Sequence, residues 1–302
     1  MTLFLFALAA CGDKDTDGST DDSAAVDMFS QLIYTDTEPA AESGTALTEC
    51  YGFDGNWASQ TPDSNCETEV DFDGEVIDFE SDKPVPDATL EFFYSDTMVE
   101  GTEDFTTTSD ASGIVSGSLR TCTPFTYRVY TDPDLADTKV TIQAHEVRSH
   151  ATEAVDGVEF NSVSTTTYSI IPSLLGISVD PAAGIIAGTA YGCGGDGDPV
   201  EFAQVIVRPA EGGDYYPSQE VRYFREEFPN RDQEWTSEDG LWVAVNIPPG
   251  RVTVEMWTWD GSEHVLAGTV DLDVVADSIN IANVFTGYEG GVVYPESCLS
   301  CE

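Results

Sequence analysis

Few residues in this 302-residue chain have types and spacing that could do chemistry. There are three histidines: His145, His150 and His264. His145-Glu146-x-x-x-His150 misses the zinc-binding H-E-x-x-H helix pair by one residue, and Val140, Ile142 and Ala144 alternate as in a strand, which does not stack residues four apart. His150-Ala-Thr-Glu153 with His264 has the residue types of a zinc hydrolase but no α/β frame or outer shell to hold them. Cys298-Leu-Ser-Cys301 is half of a structural zinc site, and no second C-x-x-C completes it. Gly192-Cys-Gly194-Gly-Asp-Gly197 matches G-x-G-x-x-G, yet Asp198-Pro199 and another strand follow where a dinucleotide site needs a helix. Asp13-x-Asp15-x-Asp17-Gly18 opens like a calcium loop, but its twelfth position is Ala24 instead of a bidentate Glu. There is no G-x-S-x-G and no P-loop. The sequence therefore predicts no catalytic residue, no metal and no cofactor.

Charge narrows the class further. The chain carries 56 acidic residues against 11 basic ones, a net charge of -45. Such a surface repels phosphates and has no basic stripe to release counterions, which excludes nucleic acid as a partner. Residues 12–46 hold nine carboxylates against Lys14. That stretch is too polar to bury a core and is expected to be a disordered acidic tether.

Leu3–Ala10 reads LFLFALAA, far short of the ~18 apolar residues a membrane span needs. An apolar run ending in small residues is a secretory processing signal. Leu8-Ala9-Ala10-Cys11 resembles the bacterial lipobox, which implies cleavage before Cys11, a diacylglyceryl group on its thiol, and anchoring by two or three acyl chains. Gly12, not Asp, follows the cysteine. By resemblance to lipoprotein sorting this implies a place in the cell envelope, in the outer membrane or at the cell surface.

Cysteine parity agrees with that reading. With Cys11 lipidated, six of the seven cysteines remain: Cys50, Cys66, Cys122, Cys193, Cys298 and Cys301. An even number in an oxidising compartment predicts disulfides, with fifteen possible connectivities. Cys50–Cys66, which would close a short polar loop, is the first expectation.

Past the tether the period is two. Ala88, Leu90, Phe92 and Tyr94 alternate with Thr89, Glu91, Phe93 and Ser95; Val270, Leu272 and Val274 alternate with Thr269, Asp271 and Asp273. Half-buried strands between Gly, Pro and Asp turns predict an all-β fold of antiparallel sandwiches. One short helix is expected at Ser173–Ser178. The pattern also repeats. Pro84-Val-Pro-Asp-Ala88-Thr-Leu90 has a counterpart in Pro199-Val-Glu-Phe-Ala203-Gln-Val205, and Ser109-Asp110-Ala-Ser-Gly113 one in Ser237-Glu-Asp239-Gly240. The second copy carries about twelve extra residues between the two motifs.

These motifs resemble the carboxypeptidase regulatory-like family, which implies two tandem immunoglobulin-like or transthyretin-like sandwiches and an accessory, non-catalytic role. The expected organisation is a signal peptide (1–10), a lipidated tether (11–46), a first sandwich (47–168), a connector (169–181) and a second sandwich (182–302) with an insertion at 211–235.

Two features could contact a ligand or partner. The insertion gathers Tyr215, Tyr216, Tyr223, Arg222 and Arg225, the aromatic and Arg mixture of interface anchors. Trp257 and Trp259 fall on the polar side of a strand whose Val252, Val254 and Met256 face the core. The alternative for both is burial against neighbouring structure. The expected function is a structural or protein-binding surface lipoprotein, with an envelope protein as partner. Glycan binding through the tryptophans is the alternative, and zinc hydrolysis a distant third. Oligomeric state is not encoded legibly.

Overall fold

A computed structural model describes residues 60–301 except for 96, 100, 133, 135–137, 194–198, 213–219, 226–227 and 260–263. The lipobox-like Leu8–Cys11, the expected tether, Cys50, Tyr215 and Tyr216 lie outside the described residues, as do the side chains of Cys193, Trp259 and His264.

The protein is all-β, built as two sandwiches. In the first, β1 (Glu69–Asp78), β4 (Ile114–Arg120) and β7 (Val155–Ser164) form one sheet. Facing it are β2 (Ala88–Phe93), β3 (Phe105–Thr108), β5 (Phe125–Thr131) and β6 (Thr138–Glu146). In the second, one layer comprises β8 (Gly184–Cys193), β10 (Glu220–Arg225), β11 (Phe228–Asn230), β12 (Leu241–Ile247), β15 (Ser278–Ile281) and β16 (Val284–Thr286). The other comprises β9 (Gln204–Pro209), β13 (Gly250–Trp259) and β14 (His264–Val274). Strand β15 pairs with β8 on one side and with β6 on the other, so one sheet runs through both halves. The ladders are not all antiparallel: β1–β7, β6–β15, β8–β15 and β8–β16 are parallel.

Register shows that the repeat is structural. Leu90 pairs with Val129 in the first copy, and Val205 with Met256 in the second. The turn motif recurs as well. Ser109 Oγ accepts the Ala88 N–H (2.8 Å) and donates to the Val85 carbonyl (2.7 Å). Thr236, one residue before the expected Ser237, does the same for Ala203 N–H (2.9 Å) and the Val200 carbonyl (2.6 Å). Gly113 and Gly240 complete the two turns at φ of 80° and 65°, a region open to glycine and strained for other residues.

The two cores differ in composition. Phe72, Phe92, Phe125, Tyr127 and Phe160 fill the first, with edge-to-face pairs such as Phe92–Phe160 (5.4 Å) and Tyr127–Phe160 (5.3 Å). Such pairs add about 0.5–1.5 kcal/mol each beyond area burial. The second core is mainly aliphatic, with Val205, Val207, Val252, Val254, Val270 and Leu272 around two large rings, Trp242 and Tyr223.

The helix between the halves is α1 (Thr165–Leu175), eight residues earlier in onset than the sequence suggested. Thr165–Thr167 reads as β-branched strand, but Ser164 caps the first turn by accepting the Thr167 N–H (3.1 Å). Gly176, at φ 76°, ends it in the left-handed conformation, so the expected tract is where the helix stops. The expected boundary at residue 168 therefore falls inside this helix.

The disulfides correct the first expectation. Cys66 is bonded to Cys301, not Cys50, and Cys122 to Cys298. The short helix α2 (Glu296–Ser300) thus staples the chain's last turn onto the first sandwich. Nothing local in the sequence announces bonds that span separations of 235 and 176 residues.

Candidate functional site

The insertion of the second copy forms a hairpin at the edge of the long sheet. β10 pairs with β12, and β11 covers β10 through Tyr223↔Asn230, Phe224↔Pro229 and Arg225↔Phe228. A three-residue edge strand containing Pro is a poor template for further pairing. The hairpin is rooted by burial. The Tyr223 ring is in the core, its hydroxyl accepts the Val205 N–H at 2.9 Å, and burial pushes its pKa well up. Tyr223 is thus a structural root and no surface contact. Phe224 packs against the apolar cluster under α1, and Trp235 lies 6.1 Å from the Phe202 ring. Arg222 is half-buried and donates to the Val221 carbonyl at 2.8 Å.

The tip is different. Arg225 and its cross-strand partner Phe228 are exposed, Phe228 to 74%. Arg231, just past β11, donates through Nε to the Leu174 carbonyl (2.6 Å) and through a terminal nitrogen to Ser173 (3.1 Å). A guanidinium on the last carbonyls of a helix satisfies groups that the helix leaves open. It also ties the hairpin to α1, where Ile170 and Leu174, one turn apart, are 46% and 52% exposed. Phe228, Ile170 and Leu174 were invisible as a group in the sequence. The i, i+4 pair is legible only once a helix starts at Thr165.

The tryptophan strand tells the opposite story. On β13 the face away from the core is itself covered: Thr253 is 5% and Glu255 4% exposed. Arg208 Nε donates to Glu255 Oε1 at 2.5 Å, and the half-buried Trp257 donates its indole N–H to Glu255 Oε2 at 2.9 Å. Trp257 therefore serves first as a donor that completes a paired carboxylate. A bulge between Met256 and Trp257 shifts the strand there.

Metal chemistry finds little support among the described residues. One grouping brings ligand atoms within 4.8 Å, Asp63 with Cys66 and Cys301, and both sulfurs are consumed in one disulfide. His150 Nδ1 donates to the Cys66 carbonyl (2.7 Å), and the His145 ring bonds the Asp271 carbonyl (2.5 Å). Glu153 is exposed.

The fold and this surface define an all-β sandwich protein with exposed apolar side chains, Phe228, Ile170 and Leu174, on the edge hairpin and on α1. No family model and no curated protein matches the sequence. Among solved structures, the Bacillus anthracis TIE protein is similar at 12% identity and a TM-score of 0.24, over 72% of this chain and 34% of that one. The chain thus spans about a third of that protein. The shaft pilin SpaA of Lactobacillus rhamnosus GG is similar at 8% identity and a TM-score of 0.22, over 76% and 100% of the two chains. The minor pilin GBS52 of Streptococcus agalactiae gives 7% and 0.23, over 76% and 98%. Likeness at this level carries no argument about function.

Proposed function

We propose that this protein is a non-enzymatic surface lipoprotein of the bacterial envelope, anchored through Cys11, which presents the edge of its second sandwich to another envelope protein. The carboxypeptidase regulatory-like resemblance supports an accessory role, and the lipobox-like Leu8–Cys11 with its acidic tether supports display at a distance from a membrane. One observation carries the binding part: Phe228 stands 74% exposed on a hairpin tied to α1, whose Ile170 and Leu174 are also exposed. Exposed apolar side chains on two elements tied together by an arginine fit a protein partner better than solvent. The rooted aromatics Tyr223 and Phe224 hold that edge in place, so little ordering would be needed on binding.

Pull-down from native envelopes tests this, comparing the wild-type chain with Phe228→Asp and with Ile170→Asp/Leu174→Asp. Specific capture by wild type that both variants lose, with unfolding temperatures unchanged, is the expected result. Capture that is identical in all three would refute the reading. Glycan binding remains second, favoured by the half-exposed Trp257. A glycan array on Trp257→Phe separates the two: that reading requires wild-type binding that the variant loses.

A further inference from the structure

A cavity of about 370 Å³ opens at one end of the first sandwich. That is within the roughly 300–1,000 Å³ typical of small-ligand sites. Its walls are the inward side chains of the β1–β4–β7 sheet, among them Val70, Phe72, Leu119 and Val158. Segment 147–151, which follows β6, closes one side and brings the polar groups.

Several polar groups of the lining are engaged within the protein. Thr121 Oγ1 lies 2.8 Å from Thr68 Oγ1 and 3.1 Å from the Cys66 carbonyl. His150 uses Nδ1 on the Cys66 carbonyl, and Ser149 sits exposed at the rim. Arg148 differs. Its guanidinium carbon lies 6.0 Å from the centre of the Phe160 ring, and its Nε is buried with no hydrogen-bond partner. No carboxylate among the described residues forms an ion pair with it. By contrast, Arg128, Lys139, Arg208 and Arg251 each have a carboxylate partner.

We propose that this cavity binds a small organic monocarboxylate with an apolar tail: the carboxylate pairs with Arg148, and the tail lies on Phe72, Leu119 and Val158. A guanidinium presents its N–H donors in a fork that matches a carboxylate. One cation in a strongly acidic molecule suits a monoanion and not a phosphate dianion. Apolar walls demand an apolar tail. The site is held in place beforehand. His150 N donates to Ser297 Oγ (3.1 Å) in α2, Thr68 Oγ1 donates to the Ala151 carbonyl (2.5 Å), and Cys122 N donates to the Arg148 carbonyl (2.8 Å). Both disulfides therefore brace the segment that carries the arginine. Two sources share this chemistry, the free C-terminus of a peptide ending in an apolar residue and a short fatty acid.

Calorimetric titration of the full chain carrying Cys11→Ser provides the test. The probes are an acetylated tripeptide ending in leucine, the same peptide amidated, hexanoate and hexanamide. At least one acid binding with one-to-one stoichiometry, and at least tenfold more tightly than its amide, is the expected result; which acid does so identifies the source. Arg148→Gln should weaken that binding at least tenfold. The proposal is overturned if neither acid binds, if the amides bind as well as the acids, or if a folded Arg148→Gln variant binds unchanged. Should that variant fail to fold, the comparison of acid with amide on the wild-type chain still decides.

Discussion

The two sandwiches are copies of one plan that solve the same electrostatic problem with opposite polarity. On the outer face of the first, Glu91 of β2 pairs with Arg128 of β5 at 2.5 Å, and the Tyr130 hydroxyl donates to the same carboxylate at 2.8 Å. On the second, register places Glu255 of β13 where Arg128 stands and Trp257 where Tyr130 stands. There the arginine has moved to β9, as Arg208, and the aromatic still donates to the carboxylate. What is kept is the triad of carboxylate, guanidinium and aromatic donor, because a nearly buried carboxylate needs its oxygens occupied. Which strand carries which charge is free to change. A second difference is the staple: among the described residues, two disulfides bind Cys298 and Cys301 to the first copy, whereas the second has the hairpin and α1.

The staple is where the comparison should break most visibly. Replacing Cys66 and Cys301 by Ser removes a link across 235 residues. The loss of unfolding free energy is expected to be about 4–5 kcal/mol. Hydrogen exchange should rise first in β1, β4 and segment 147–151, and last in β9 and β13. Uniform loosening of both copies would contradict the assignment of the staple.

Next come the triads. Arg128→Leu and Arg208→Leu each leave a mostly buried carboxylate without its cation. Each should cost about 2 kcal/mol in denaturant unfolding, below the range for fully buried pairs because the arginines are partly exposed. If polarity is free, the swap Glu91→Arg/Arg128→Glu should recover more than half of the loss seen with Glu91→Arg alone. A swap no better than the single substitution would mean that local packing fixes the polarity.

A smaller contrast lies in two glycines. A Cβ on Gly188 would sit 1.9 Å from the Ala282 carbonyl oxygen; on Gly74 it would sit 2.5 Å from that of Val158. Both alanine substitutions should destabilise, by about 1–3 kcal/mol, with Gly188→Ala the worse. The reverse order in a thermal melt would show the second copy to be the more compliant.

The smallest expected effect is alkaline. Burial raises the pKa of Tyr127 in the first copy and of Tyr223 in the second, and pushes Tyr168 up to about 12. An unfolded tyrosine ionises near 10. The folded state therefore holds these protons longer, and the stability they contribute is complete below about pH 10 and lost as pH rises beyond it. Tyr127→Phe and Tyr223→Phe should each flatten the decline measured above pH 10. An unchanged slope in either would mean that its hydroxyl does not titrate on unfolding.

The alternation around Leu90, Val254 and Leu272 was enough to read strands and both copies, because period two survives wherever one face is buried. Thr253 and Glu255 read as solvent-facing because their cover comes from Arg208 and Trp257, which a single strand does not reveal. Helix α1 hid behind Thr165–Thr167, whose β-branched run suggests strand while the Ser164 cap overrides it. The disulfide partners, and an Arg148 without an ion pair among the described residues, depend on contacts between residues far apart in the chain, and no local spacing encodes those. Tyr223 shows the limit from the other side: its composition suits an interface, yet the register of β10 against β12 turns it inward.

The reading as a tethered surface protein stands or falls at its first cysteine. Intact mass analysis of the protein purified from bacterial membranes, wild type and Cys11→Ser, examines that residue directly. The expected result is a mature chain beginning at Cys11 with the added mass of a diacylglyceryl group, and its absence in the variant. A wild-type protein recovered with an unmodified Cys11 thiol and no membrane association would contradict it.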